Sequence, residues 1–204
     1  MIAIGDRAVR ATLDAFATAR KRNGATSTAR FSIAHLQLVD PADWPRFAAI
    51  DVHASLQFLW AQPDPYSVAA VQPYLGERRA EYLYPAGSLL KAGAIIVGGS
   101  DWNVSSFNPW EAIATGLCRC NPKEPDRPPL SPQQALPLEA LLRAYTIDAA
   151  RMLGRDQEIG SLTIGKAADL IMLSHAPTAD ADVLRTMQVT ATMIDGAWVY
   201  REAR

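Results

Sequence analysis

Cysteine is nearly missing from these 204 residues. Cys118 and Cys120 are the only two, and their C-x-C spacing has no second pair. That excludes a disulfide framework and a four-ligand structural zinc site, and leaves two thiols suited to a reducing compartment. Histidine is scarce too, with only His35, His53 and His175. A surplus of either charge is also missing. The formal net charge is -1, and basic residues are scattered except at Arg20–Arg22. The composition therefore gives no electrostatic case for binding nucleic acid. No apolar run approaches the length of a membrane-spanning helix, and Asp6 and Arg7 fall where a secretory signal needs its apolar centre. These absences lead us to expect a cytoplasmic globular protein with neither a membrane nor a nucleic-acid partner.

Apolar periodicity is plentiful. Val9, Leu13, Phe16 and Ala17 recur at helical spacing between Asp6 and Asn23, and Asn23-Gly24 supplies a stop. "RFSIAHL" reads as a strand. Asp40-Pro41 then gives an N-cap and a proline at the first helical position of the next segment. "VHASLQF" alternates, with Val52, Ala54, Leu56 and Phe58 on one face and His53, Ser55 and Gln57 on the other. "PAGSLLKAG" is helical up to its closing glycine. "AIIVGGSD" is the continuous apolar run of a strand covered on both faces. Strands alternating with helices predict right-handed crossovers and a parallel sheet. A short helix is expected near Pro109–Leu117, a proline-rich loop over "NPKEPDRPPLSPQQALP", and a helix over Leu138–Leu153. Past Gly154 the character changes. "EIGSLTIGKAADLIMLS" and "VTATMIDGAWVY" read as short strands, the second turning at Asp195-Gly196. We accordingly divide the chain into residues 1–153 and 154–204.

In parallel sheets, chemistry collects at the carboxyl ends of the strands. The polar residues there are His35, then His53 or Gln57, then Asp101. Imidazole and carboxylate together are the usual ligands of hydrolytic zinc sites. Each also has a plainer role: a histidine at a strand end serves as a hydrogen-bonded rim residue, and Asp101 could cap a following helix. His175 reads as solvated surface. Ser100 after Gly98-Gly99 invites comparison with a nucleophile elbow, with Asp148 or Asp169 and His175 in the right chain order. The comparison fails at Trp102, which occupies the position of the glycine that this turn requires.

Five stretches carry a family resemblance: "AIGDRAV" (3–9), "IAHLQLVDPAD" (33–43), "AGAIIVGGSDWNV" (92–104), "LLRAYTIDAARMLG" (141–154) and "GSLTIGKAADLIML" (160–173). In this order they resemble the metal-dependent amidohydrolase superfamily, specifically the YtcJ-like enzymes of amidohydrolase family 3. The resemblance implies an α/β fold: part of a TIM (β/α)8 barrel, about helix 5 through helix 8, followed by strands of a small β-sandwich. It implies hydrolysis of non-peptide carbon–nitrogen bonds in a small amide-type substrate, with a divalent cation, zinc, as cofactor. By it His35 corresponds to the metal-ligating histidine of barrel strand six. Asp101 corresponds to the strand-eight aspartate, which ligates metal and takes a proton from the attacking water. The pattern is also broken. The strand-five ligand is a histidine immediately before "AIGD", where this chain has Ile2. The amino-terminal H-x-H pair and the strand-four ligand have no counterpart. The resemblance thus implies a need for an amino-terminal portion or for self-association, and leaves a non-catalytic remnant or assembly module as the alternative.

Overall fold

The computed structural model describes residues 1–24, 28–66 and 68–203. Its first half alternates strand and helix. Strand β1 (Ile2–Ala3) leads into helix α1 (Asp6–Asn23), and β2 (Phe31–His35) is followed by a 3-10 turn at Pro41–Asp43 and helix α2 (Trp44–Ala49). Strand β3 (Val52–Leu56) ends in a 3-10 turn at Phe58–Trp60. Helices α3 (Gln72–Ala80) and α4 (Ala86–Lys91) precede β4 (Ile96–Gly98). The four strands form one parallel sheet in the order β1-β2-β3-β4. The expected parallel α/β fold is thus present.

Local chemistry accounts for the elements. Helix α1 buries Val9 and Leu13 along one stripe and packs Phe16 against the same core. It stops at Gly24, whose N–H makes the last helical bond to the Arg20 carbonyl at 3.0 Å and whose positive φ of 70° turns the chain out of the helix. Asp40 caps the turn before α2 by accepting from the Ala42 N–H. In the sheet, Ile33 pairs with Ala54 and Ala54 with Ile96, and all three join the helices in one apolar core. The opposite face carries the smaller side chains Ser32, Ala34 and Ser55 in register with His53 and Val97.

The second half departs from expectation in two places. The helix expected over Leu138–Leu153 is two, α6 (Leu138–Ala144) and α7 (Ile147–Leu153). Apolar spacing runs through the break, but Tyr145 and Thr146 leave helical geometry where the Tyr145 ring lies against Gly98 of β4. Of "EIGSLTIGKAADLIMLS", only Leu170–Leu173 is a strand, β5; turns at Gly160 (φ 89°) and Gly165 (φ 94°) occupy the rest. Helix α5 (Pro109–Cys118) falls where expected. Helix α8 (Ala181–Arg185) interrupts the tail, and β5, β6 (Val189–Ile194) and β7 (Ala197–Arg201) form a three-stranded antiparallel sheet. Asp195 and Gly196, both at positive φ, make the β6–β7 turn. Leu184 of α8 and Met187 sit in the same core as the parallel sheet, and Leu173 of β5 packs against that core. Among the described residues no helix is long and apolar enough to cross a membrane.

Candidate active site

The register of the parallel sheet sets the chemistry-bearing residues at two levels. His53 pairs with Ser32 near the amino ends of β2 and β3. There it is buried, with Nδ1 3.3 Å from the Phe31 carbonyl and Nε2 without a partner among the described residues. His35, Gln57 and the Gly98–Asp101 turn lie at the opposite, carboxyl ends. The sequence left His53 and Gln57 as alternatives for the middle strand, and the register selects Gln57.

His35 is the last residue of β2 and has a φ of 75°, with Leu36 after it at 51°. Two successive left-handed residues without glycine are costly, on the order of 1–3 kcal/mol each. The surroundings hold them in place. The Leu36 N–H donates to the Ala3 carbonyl at 3.1 Å, and the His35 N–H donates to Gln57 Oε1 at 3.1 Å. His35 is 7% exposed, and its ring stacks on Trp60 with centroids 5.1 Å apart and planes 20° apart. Its Nδ1 is buried and has no hydrogen-bond partner among the described residues.

Asp101 follows β4 by three residues. Its φ is 55°, a conformation that a short acidic side chain tolerates better than most. It is exposed, and among the described residues its carboxylate makes no hydrogen bond or ion pair. Its carbonyl accepts from the Val104 N–H at 2.8 Å, closing a tight turn. It does not cap α5. That place belongs to Asn108, whose side chain accepts from the Trp110 N–H at 3.0 Å.

Two side chains tie His35 to the Asp101 loop. Gln57, bonded to the His35 backbone, lies so near Gly99 that a Cβ there would come within 3.2 Å of Nε2. Trp60, stacked on the His35 ring, donates from Nε1 to Ser105 Oγ at 2.6 Å. The outer side of this loop is aromatic and open: Trp102 is 68% exposed, Phe107 74%, and the two rings meet edge-on at 6.4 Å.

The serine-nucleophile alternative does not assemble among the described residues. Ser100 Oγ accepts from the Trp102 N–H, and the Asp148 carboxylate is engaged by Arg143 and Arg151. His175 bonds its own neighbour, Ser174.

An orphaned buried imidazole nitrogen and an unpaired carboxylate, both at the carboxyl ends of one parallel sheet, are the donor chemistry of a divalent-cation site. The donor set is partial. Among the described residues no group of three or more His, Cys, Asp or Glu could hold a metal ion. Ile2, in the edge strand β1, is 68% exposed and offers no donor.

A model of the amidohydrolase family matches residues 1–200. The chain belongs to that family. Protein LONG AFTER FAR-RED 3 of Arabidopsis thaliana is 34% identical over 201 residues, covering 97% of this chain and 33% of the relative. The N-substituted formamide deformylase of Arthrobacter pascens is 30% identical over 203 residues, 97% of this chain and 35% of that enzyme. The crystal structure of an uncharacterized metal-dependent hydrolase from Pyrococcus horikoshii aligns with a TM-score of 0.64 at 24% identity, over 82% of this chain and 32% of that one. This amidohydrolase chain therefore spans about a third of the length of the curated relatives it matches.

Proposed function

We propose that this chain is the carboxyl-terminal part of a metal-dependent amidohydrolase that cleaves a non-peptide carbon–nitrogen bond of a small amide. Residues 1–153 belong to a (β/α)8 barrel and 154–204 contribute strands to a small β-sandwich. The observation that carries this reading is that an orphaned His35 Nδ1 and a free Asp101 carboxylate both lie at the carboxyl ends of the parallel strands. His35 and Asp101 would hold a divalent cation, zinc, with the remaining ligands coming from an amino-terminal portion or a second copy. Such an ion supplies Lewis acidity toward water and the substrate carbonyl.

The chain's own residues account for the rest. Trp60 and Gln57 fix the ring and backbone of His35, so the imidazole is oriented before any ligand arrives. Asp101 accepts the proton of the attacking water on a carboxylate oxygen as the water oxygen bonds the carbonyl carbon, then returns it to the amine nitrogen as the carbon–nitrogen bond breaks. The exposed rings of Trp102 and Phe107 offer apolar surface for an N-substituent of the substrate. The deformylase relative supports N-substituted formamides as the first substrates to try, and a cytoplasmic location suits the free thiols.

Ile2 favours a second reading, a non-catalytic module of the same fold, because an alkyl side chain at that position cannot ligate. Reconstitution separates the two. The chain is combined with the amino-terminal two-thirds of the Arthrobacter pascens relative and zinc, and formate release from an N-substituted formamide is measured. We expect turnover, its loss by at least about 100-fold in Asp101→Asn, and a gain in Ile2→His. A folded complex without turnover even in Ile2→His would establish the second reading, and turnover untouched by Asp101→Asn would overturn the role given to Asp101.

A further inference from the structure

Helix α5 ends on two thiols that take no part in the site above. Cys118 is its last residue, Arg119 caps it in the left-handed conformation (φ 61°), and Cys120 follows. The turn folds the two side chains together. The Cys120 N–H donates to Cys118 Sγ at 3.1 Å, and the Cys120 thiol donates to the Cys118 carbonyl at 3.1 Å. One intervening residue in this conformation keeps the Cα atoms within the roughly 4.4–6.8 Å that a disulfide spans.

The surroundings favour reaction over storage. Both thiols are half-buried, within reach of a small solute. Arg185 of α8, paired with Asp182 at 2.9 Å, brings Nη2 to 3.5 Å from Cys118 Sγ. Cationic, partly exposed settings are where cysteines react, and the same guanidinium disfavours capture of a soft metal cation. Burial first, and then the neighbouring Cys118 thiol, push Cys120 up to about 11, so Cys120 is the member that keeps its proton. Arg119 fixes the turn from beneath: fully buried, it donates to the carbonyls of Leu83, Tyr84 and Leu130 at 2.9–3.1 Å.

We propose that Cys118 and Cys120 form a reversible intrachain disulfide, with Cys118 as the attacking thiol and a small-molecule disulfide, RS–SR, as the oxidant. Cys118 loses its proton to solvent and its sulfur bonds one sulfur of RS–SR. The RS–SR bond breaks, and the leaving RS⁻ takes up a proton. Cys120 then loses its proton, bonds Cys118 Sγ and expels the second RS⁻. Two protein thiols and one RS–SR become one protein disulfide and two RSH, with two electrons passing to the oxidant.

Equilibrating the full chain in glutathione buffers of increasing oxidised fraction, then alkylating and weighing it intact, tests this. We expect one step from two alkylated thiols to none, in a product lighter by two hydrogens and without intermolecular disulfides. Cys120→Ser should stop at a glutathione adduct on Cys118. Cys118→Ser should react at least about 10-fold more slowly than Cys120→Ser. Glutathione adducts on both cysteines of the wild type, disulfide-linked dimers, or two free thiols in the most oxidising buffer would overturn the proposal. The wild-type titration decides it without either variant.

Discussion

At the scale of single residues, the site is held by side chains whose own needs are met unevenly. Tyr145 illustrates the cost. Its hydroxyl is buried and has no hydrogen-bond partner among the described residues, and burial pushes its pKa well above the usual 10. An acid whose folded pKa is raised keeps its full stability below the unfolded pKa and loses it as pH rises past that value. We therefore expect unfolding free energy to fall above pH about 10, with up to about 1.4 kcal/mol per pH unit from this group. Tyr145→Phe should remove that part of the slope and leave neutral stability equal or higher, since it deletes an unpaired polar atom. Urea titrations of both proteins at pH 7, 10 and 11 check this; an unchanged alkaline slope in the variant would contradict it. The positions of His35 and Asp101 at strand ends were legible because a lone imidazole and a lone carboxylate follow apolar runs. Trp60 was not, because its stacking on His35 comes from a 3-10 turn that no local pattern announces. Gln57 was separable from His53 only once the register fixed which end of β3 faces the site.

At the scale of elements, helix α1 and strands β2, β3 and β4 were readable because burial on one face or both writes a 3.6 or a 2.0 period into the sequence. The α6–α7 break was unreadable for the converse reason: apolar spacing continues through Tyr145, and what ends the helix is packing against Gly98, far away in sequence. This contact makes Gly98 a structural requirement of the loop that carries Asp101. A Cβ there would run into the Tyr145 ring. Gly98→Ala should destabilise the chain by about 1–3 kcal/mol, as overpacking does, and Tyr145→Ala in the same chain should recover part of the loss. Thermal melts of the single and double variants measure this coupling. Additive losses would show that the two residues do not press on each other. The carboxyl-terminal strands were overestimated because Leu162 and Ile164 suggest a strand yet lie exposed in turns.

At the scale of the whole molecule, large surfaces stand open. Every residue of β7 is exposed, and Ile171, Met172, Ile194, Trp198, Val199 and Tyr200 leave apolar area uncovered on the small sheet. Met1, Ile2 and Ile4 do the same at the β1 edge. Unpaired edges and apolar sheet faces drive association. At micromolar concentration the chain should sediment as a dimer or a larger species, and a compact monomer would contradict the partial-barrel reading.

Whether His35 and Asp101 serve one cation is tested on the chain alone by titrating paramagnetic Mn2+ and following line broadening by NMR. Weak binding suffices for this measurement. We expect the His35 ring and the backbone of Asp101 and Trp102 to broaden first and in parallel, and His35→Ala to abolish the broadening at Asp101. Broadening that begins elsewhere, or that reaches Asp101 unchanged in His35→Ala, would contradict it.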